Sequence, residues 1–306
     1  KLFVRDAYRR YYDKFIDGHH SSMDNKSIVC GTPGIGKSAA GVYFIRRALQ
    51  EKKTVLYRTF AQETYAVYEG SEMQELSPTS PRIIELLQNP RVLFIADGIP
   101  PPSNCKCAAV LITSPKREVW LSFSKDPGCT HRFLPIPLLE EMELMRENCF
   151  PNISEKEMKE GVDLFGHNFR AVFLKFARKK EWTALSLRSL IQSVSTELLI
   201  NAVKMDSTGK DDPSHRLIFI RATDDFLEDG REFASKFISE VVYEKLNRDE
   251  HDQFQTWLRQ AGASPAVSGL YASLFEHLSI DIIAEGGEFE TMDLVTGDKK
   301  KVAFPV

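Results

Sequence analysis

Residues 31–38 read GTPGIGKS, in which glycines flank a four-residue spacer and a lysine and a serine follow. Glycines allow a loop to turn its backbone N–H groups toward one anion, and the lysine adds a positive charge there. In loops of this pattern these groups hold nucleotide phosphates, and the serine hydroxyl ligates Mg²⁺. We therefore predict a phosphate-binding loop made of Gly31, Thr32, Pro33, Gly34, Ile35, Gly36, Lys37 and Ser38.

A carboxylate that could complete this site ends the apolar run RVLFIAD at residues 91–97. A continuous apolar run is typical of a strand buried on both faces, as in parallel sheets. We predict that Asp97 holds Mg²⁺ together with Ser38, while Lys37 stabilises negative charge on the phosphates. The alternative is that Asp97 is a turn residue before Gly98.

The residue after Asp97 is Gly98, where many ATPases carry a glutamate that activates the attacking water. Either the base comes from elsewhere, with Glu63 and Glu118 as candidates, or hydrolysis is slow and the site acts as a switch. The sequence leaves both possibilities open.

Two further positions could reach the terminal phosphate. Thr113 and Ser114 end the next apolar run, and they either contact this phosphate or only cap the strand. Arg170 follows a break at residues 166–168, at the start of a predicted helix. An arginine suits phosphate binding because its planar fork pairs with two oxygens and keeps its charge, although a surface role is the alternative.

The elements that must position these residues change character along the chain. Residues 1–136 begin with a helix and then alternate strands and helices, which predicts an α/β core of three layers with a parallel sheet. The predicted strands are 27–30, 54–58, 91–97, 108–114 and 133–136.

Residues 137–286 are predicted to form a mainly helical lid and C-terminal region, with a capping box at Ser154 and Glu157. Residues 287–306 read as a hairpin that turns at residues 296–298, and we interpret it as the start of an absent C-terminal domain. The predicted helices are 137–148, 154–165, 169–178, 183–205, 232–247, 253–261 and 268–284, with one strand at 215–223.

Composition excludes several classes of protein. The 306 residues include 40 basic and 43 acidic side chains, so the chain as a whole lacks the basic surplus of a nucleic-acid binder. Five cysteines in a chain of this length do not indicate a disulfide framework. No apolar run reaches the roughly 18 residues of a membrane helix, so we expect no membrane partner.

Several segments in order resemble the nucleotide-hydrolase portion of the Crinkler effectors of oomycetes and fungi, and the related retrotransposon hot spot proteins of trypanosomes. The resemblance covers roughly residues 2–290. The segments are FVRDAYRRYY, GTPGIGKS, VLFIADG, ITSP, PIPLLEEMELM, FGHNFRAV and SGLYASLFEHLSIDIIAEGGEF. It implies a P-loop NTPase of the AAA+/STAND kind, placed between a secretion or header segment and a C-terminal domain that is often a nuclease.

The resemblance also implies roles for the matching positions. Gly31, Gly36, Lys37 and Ser38 match the family's phosphate loop, Asp97 its acidic strand end, and residues 113–115 its next strand end. The family's lid motif commonly reads Gly-Gly-x-Pro-Arg. Here residues 166–170 are GHNFR, which keep Arg170 but lack the second glycine and the proline.

Beyond the site, the resemblance implies secretion followed by entry into a host cell, often its nucleus. Nucleic acid would be contacted only through the absent C-terminal domain, and self-association stays open.

From residues and resemblance together we predict Mg²⁺-dependent binding and hydrolysis of ATP or GTP. ATP is favoured because no Asn-Lys-x-Asp sequence, which specifies guanine, is present. The alternative is a nucleotide-dependent switch with little hydrolysis; a nucleotide kinase is a third, less supported reading because no obvious set of acceptor-binding arginines exists.

Overall fold

A seven-stranded sheet forms the centre of the predicted core. The computed structural model describes residues 2–17, 25–115, 117–180, 182–197, 199, 217–249, 254, 268–292 and 297–305. The strands are Lys26–Cys30 (β1), Val55–Thr59 (β2), Tyr65–Glu69 (β3), Glu72–Leu76 (β4), Leu93–Asp97 (β5), Ala108–Ile112 (β6) and Cys129–Phe133 (β7). They lie in the order β4-β3-β2-β5-β6-β1-β7. Strands β2, β5, β6, β1 and β7 are parallel, whereas β3 and β4 form an antiparallel edge.

Helices cover both faces of this sheet, because alternate residues of the central strands point to opposite sides. The helices of the core are Asp6–Phe15 (α1), Lys37–Gln50 (α2), Pro81–Leu87 (α3) and Arg117–Trp120 (α4). Val29 and Ile95 pack in one cluster with residues of α1 and α2, and Ile28 and Phe94 pack in another with α3. The three-layer α/β architecture predicted from the sequence is therefore confirmed.

The described residues that follow β7 are mainly helical. Their helices are Leu139–Cys149 (α5), Glu155–Phe165 (α6), a π-helix at Arg170–Arg178, Ala184–Ser193 (α7), Lys236–Asp249 (α8) and Ser268–Ala284 (α9). Two antiparallel hairpins accompany them: Ile218–Ala222 (β8) with Glu228–Phe233 (β9), and Gly287–Met292 (β10) with Lys299–Phe304 (β11). Among the described residues, no helix has both the length and the hydropathy needed to cross a bilayer.

Several sequence-based element boundaries were wrong. Strands β3 and β4 were not predicted, and the strand expected at 133–136 lies at Cys129–Phe133. The helix expected from residue 232 begins at Lys236, because residues 228–233 pair with β8. The helix expected over 183–205 ends at Ser193, where Val194 is extended. The helix expected at 253–261, apart from residue 254, and the first residue of the turn expected at 296–298 lie outside the described residues.

Candidate nucleotide-binding site

The predicted phosphate loop connects β1, which ends at Cys30, to α2, which begins at Lys37. Gly34 and Gly36 have φ angles of 91° and 100°, in the left-handed region that disfavours other residues. A Cβ at Gly34 would lie 2.3 Å from Asn168 Oδ1, and one at Gly36 would lie 2.2 Å from the Tyr8 hydroxyl. Glycine is required at both positions because other parts of the chain approach the backbone too closely for a side chain.

Every carbonyl oxygen from Gly31 to Gly36 accepts a hydrogen bond from a group that surrounds the loop. Within the loop, Lys37 Nζ donates to the oxygens of Gly31 (2.7 Å) and Thr32 (2.9 Å). From the lid, Asn168 Nδ2 donates to the oxygen of Pro33 (2.8 Å) and the Arg170 backbone N–H donates to that of Gly34 (3.3 Å). From α1 and the residue before it, Arg5 Nη1 donates to the oxygen of Ile35 (3.2 Å) and the Tyr8 hydroxyl to that of Gly36 (2.8 Å).

This arrangement decides which side of the loop can bind an anion. Because the carbonyl oxygens have donors, their peptide planes are fixed. Among the hydrogen bonds found within the described part of the chain, none uses the backbone N–H groups of Thr32, Gly34, Ile35 or Gly36. A loop with its carbonyls held and its N–H groups unpaired has the character of an anion-binding nest, next to the N-terminus of α2.

Two loop residues that were predicted to bind nucleotide have side chains that are buried within the protein. The Thr32 hydroxyl is buried and accepts a hydrogen bond from the Ile220 backbone N–H of β8 at 3.0 Å. The Ile35 side chain is fully buried in the core cluster that includes α1 and α2. At these two positions only the backbone is available to a ligand.

Of the three residues predicted to act on the phosphates, Lys37 lies within electrostatic range of both Asp97 and Arg170. Burial lowers the pKa of Lys37 to about 8, and the positive charge of Arg170 contributes to this fall, whereas Cys30 and Asp97 oppose it. The Arg170 side chain is exposed, and its guanidinium makes no hydrogen bond or ion pair with the described residues. Two neighbouring cations of this kind favour a polyphosphate between them.

Ser38 and Asp97, the two residues predicted to hold Mg²⁺, lie next to each other. Burial raises the pKa of Asp97 above its usual value, while a hydrogen bond from the Ser38 side chain and the charge of Lys37 lower it. The pair supplies a hydroxyl and a carboxylate oxygen, which are hard donors that suit Mg²⁺. No group of three or more His, Cys, Asp or Glu in the described residues could hold a metal. The Ser38–Asp97 pair therefore fits an ion that takes its remaining ligands from phosphates and water.

Thr113 and Ser114 follow β6, which lies between β1 and β5 in the sheet. The Thr113 backbone N–H donates to Val29 in β1 at 3.0 Å, and its side chain is buried. The Thr113 hydroxyl has no hydrogen-bond partner among the described residues. A buried hydroxyl without a partner is costly, so this atom is a candidate contact for a ligand.

Gly98 has a backbone conformation that disfavours the water-activating glutamate found at this position in many ATPases. Its φ is 75°, its N–H donates to Ile112 at 2.8 Å, and a Cβ would lie 2.9 Å from the Phe60 ring. The alternative bases predicted from sequence, Glu63 and Glu118, are both exposed. Neither contacts Lys37, Ser38 or Asp97 in the described structure.

The sequence did not indicate how closely α1 and the lid would hold the loop. Arg5 is buried and forms a bidentate ion pair with Glu141 of α5, at 3.0 and 2.9 Å. Its Nη1 atom also donates to Pro135 at 3.0 Å, in addition to its bond to the loop. A buried arginine needs such partners, but nothing in the local sequence around residue 5 identifies residues 130 or more positions away.

Asn168 directly precedes the helix predicted at 169–178, a position at which asparagine often caps a helix. Its Oδ1 atom does accept from the Ala171 backbone N–H at 3.0 Å, which confirms the cap. The same side chain donates to Pro33 through Nδ2. The position of Asn168 two residues before Arg170 was the available signal that it would lie near the loop.

Comparison with known proteins gives distant relatives. No protein-family model matches the chain. It is 22% identical to Crinkler effector protein 15 of Phytophthora infestans, over an alignment of 306 residues that covers 98% of this chain and 49% of the relative. Crinkler effector protein 16 of the same organism gives the same identity and coverage. The chain therefore spans about half the length of the curated relatives it matches.

Two solved structures are similar at low TM-score. AMPPCP-bound DnaA from Aquifex aeolicus gives a TM-score of 0.39 and 12% identity, covering 92% of this chain and 90% of that one. The RuvB Holliday junction branch migration motor of Thermotoga maritima gives 0.33 and 9%, covering 88% and 82%. The fold assignment comes from the sheet and the loop described above. The chain has a phosphate-loop α/β core and is similar to Crinkler effectors over almost its whole length.

Proposed function

We propose that residues 31–38 bind a nucleoside triphosphate with Mg²⁺ and that the chain hydrolyses it. The observation that carries this proposal is the loop in which every carbonyl oxygen from Gly31 to Gly36 has a donor. The N–H groups of Thr32, Gly34, Ile35 and Gly36 have no partner in the described structure. Such a loop presents several N–H donors to the same anion.

In this mechanism the phosphates replace the loop carbonyls as the acceptors of the Lys37 ammonium group. Lys37 and the loop amides then stabilise the negative charge that grows on the phosphates in the transition state. Ser38 and Asp97 would hold Mg²⁺, which would supply positive charge to neutralise the phosphates. Arg170 would pair with two oxygens of the terminal phosphate, and the Thr113 hydroxyl with a third.

A switch with slow hydrolysis is the second candidate, and Gly98 is the observation that favours it. No carboxylate follows Asp97, so the chain lacks the side chain that would orient the attacking water at that place. The lid also contacts the loop directly through Asn168 and Arg170, so a bound nucleotide could change the position of the lid.

The biological setting is proposed from the relatives. The similarity to two Crinkler effectors supports the inference that this chain is the NTPase portion of such an effector, of the AAA+/STAND kind, secreted and active in host cells. ATP is proposed as the preferred nucleotide because no guanine-specifying sequence is present.

Phosphate release in the presence of Mg²⁺ tests the proposed hydrolysis. We expect slow turnover of ATP, of the order of 1 s⁻¹ or less, which Lys37→Ala removes and Lys156→Ala leaves unchanged. Lys156 is the matched control because its side chain is 86% exposed on α6. Binding without turnover would support the switch. Equal turnover in the wild type and Lys37→Ala would contradict the proposal.

A further inference from the structure

A cavity of about 850 Å³ lies beside the phosphate loop, between the core and two helices of the lid. Pro33 and Ser114 line it from the core, and residues of the π-helix and of α7 line it from the lid. None of Lys37, Ser38 and Asp97 lines it. The cavity is therefore a space adjoining the predicted phosphate site, and its volume is in the range of small-molecule pockets.

The charged side chains among the described lining residues of this cavity are both cations. Arg170 and Lys175 both contribute to its wall, and no aspartate or glutamate is among its described lining residues. Both cations belong to the π-helix at Arg170–Arg178. In an α-helix, residues five apart point about 140° away from each other. The wider turns of a π-helix, with i→i+5 hydrogen bonds, bring residues five apart closer to one face.

The opposite wall carries serine hydroxyls and an apolar surface. The hydroxyls of Ser186 and Ser193 donate to backbone carbonyls of α7 or its cap, so they can offer a ligand only acceptor capacity. Ser186, Ser189 and Ser193 recur on α7 at the spacing of one helix face, and all three line the cavity. Beside them, Trp182 and Leu190 provide the apolar surface; the Trp182 ring also packs on Phe165, at 5.7 Å between centroids. The cavity thus combines a cationic side with a side of hydroxyls and one aromatic ring.

We propose that this cavity binds a second ligand, a nucleoside monophosphate, next to the triphosphate site. Its phosphate would lie between Arg170 and Lys175, its sugar hydroxyls along the serines of α7, and its base against Trp182 and Leu190. Arginine and lysine bind phosphate by charge-assisted hydrogen bonds, and an aromatic ring offers a stacking surface for any base. The inference rests on the proposed function in that Arg170 would serve both ligands, and Pro33 and Ser114 of the predicted triphosphate site also line the cavity.

Calorimetry on the full chain tests this with AMP and GMP, each with and without a non-hydrolysable ATP analogue and Mg²⁺. Ser189→Trp fills the cavity from an exposed position, and Lys175→Glu reverses one of its charges. Leu185→Trp is the matched control, because Leu185 is 74% exposed on the same helix and does not line the cavity. Circular dichroism and melting curves confirm that each variant is folded.

We expect the wild type to bind a monophosphate at about micromolar to millimolar concentration, and both cavity variants to lose at least about tenfold in affinity. Leu185→Trp and Lys37→Ala should keep monophosphate binding, and the cavity variants should keep the affinity for the ATP analogue.

The proposal is overturned if neither monophosphate binds. It is also overturned if monophosphate and ATP analogue compete for one site and Ser189→Trp weakens both, since the cavity would then hold the nucleoside of the triphosphate. Failure of the proposed function is a separate result, in which Lys37→Ala keeps its affinity for the ATP analogue.

Discussion

The side-chain nitrogen of Asn168 lies 2.8 Å from the carbonyl oxygen of Pro33, so the lid is hydrogen-bonded directly to the phosphate loop. The other end of the same amide caps the π-helix by accepting from the Ala171 N–H. The Asn168 side chain therefore links the π-helix that carries Arg170 to the phosphate loop. A shift of either element would disturb the hydrogen bond that Asn168 makes with the other.

Replacing Asn168 by alanine should weaken both elements. We expect a loss of about 1–2 kcal/mol in the free energy of unfolding, because a cap and a buried hydrogen bond are removed. Nucleotide affinity should also fall, since the Pro33 peptide is no longer held. Asn148→Ala is the control: Asn148 also donates to a backbone oxygen, Leu144 at 2.8 Å, but on an exposed helix. Denaturant unfolding and nucleotide titration measure the two effects, and equal behaviour of the two variants would contradict the coupling.

The loop glycines can be tested against a glycine in open space. Gly36→Ala forces an unfavourable φ and a collision with the Tyr8 hydroxyl, whereas Gly70→Ala at φ 62° meets nothing within 4 Å. We expect Gly70→Ala to cost about 1–2 kcal/mol from backbone strain alone. Gly36→Ala should cost more than this and should abolish nucleotide binding. If both variants unfold at the same denaturant concentration, the close packing of Tyr8 on the loop is not a constraint.

How much of this could be predicted from the sequence depends on how local the signal is. The loop, the carboxylate at Asp97 and the capping box at Ser154 and Glu157 have local patterns, and the structure shows the loop between β1 and α2 and the capping box in place. Their chemical roles stay predictions. The proximity of Lys37 and Asp97 needed only the rule that strand ends meet at one edge of a parallel sheet. That rule does not place Arg170, which begins the π-helix.

The missed features depend on contacts between distant residues. Strands β3 and β4 form an antiparallel edge, and β4 is exposed or half-exposed throughout, so its sequence carries no apolar run. The last two residues of strand β9, 232 and 233, were read as the start of a helix because the pairing of this strand with β8 is a tertiary contact. The Arg5–Glu141 pair and the cavity beside the loop join segments more than 100 residues apart, and no local pattern encodes them.

The buried ion pair between Arg5 and Glu141 should matter more to stability than exposed pairs. Arg5→Ala leaves Glu141 without its partner and removes a donor from Ile35, so we expect a loss of about 3–5 kcal/mol. Arg82→Ala is the control, because Arg82 pairs with Glu69 and Glu85 in solvent and should cost about 1 kcal/mol or less. Thermal melting of both variants measures the difference. Similar shifts would show that the buried pair contributes no more than a surface pair.

The pH dependence of binding follows from Lys37. Its pKa is lowered to about 8 in the free protein, chiefly by burial, and bound phosphates would favour the protonated form. Above about pH 8 binding must take up a proton, so affinity should fall by up to about tenfold per pH unit. Lys37→Arg keeps its charge and should remove this dependence. Calorimetry in buffers of different ionisation enthalpy counts the protons. Wild-type affinity that is constant up to about pH 9.5 would contradict the shift.

In the absence of nucleotide, the lowered pKa of Lys37 makes the folded state more stable as the pH rises, whereas nucleotide affinity falls over the same pH range. Because the folded pKa of Lys37 is below the unfolded value, the unfolded chain binds more protons between about pH 8 and 10.5. The contribution of Lys37 to the free energy of unfolding therefore rises with pH across this window. Lys37→Met lacks the titrating group. The contribution of Lys37 is therefore obtained by subtracting the unfolding free energy of Lys37→Met from that of the wild type at each pH. A difference that stays flat or falls would contradict the lowered pKa.

Substitution of Thr113 can test its role in turnover separately from its effect on stability. Its buried hydroxyl has no partner in the described structure, so Thr113→Val should leave the free energy of unfolding unchanged or raise it slightly. If the hydroxyl contacts the terminal phosphate, turnover should fall about tenfold or more. Thr130→Val is the control, because the Thr130 hydroxyl donates to the Lys26 carbonyl at the far end of β1. Unchanged turnover in Thr113→Val would assign Thr113 to the strand end alone.

The measurement that tests the central claim most directly is the binding of Mg²⁺-ATP and Mg²⁺-GTP to the wild type, Lys37→Ala and Lys156→Ala, followed by calorimetry. We predict that the wild type and Lys156→Ala bind at least one of these nucleotides at about micromolar concentration, and that Lys37→Ala binds at least about a hundredfold more weakly. Wild-type protein that retains neither nucleotide at about millimolar concentration, or Lys37→Ala with wild-type affinity, would contradict the account.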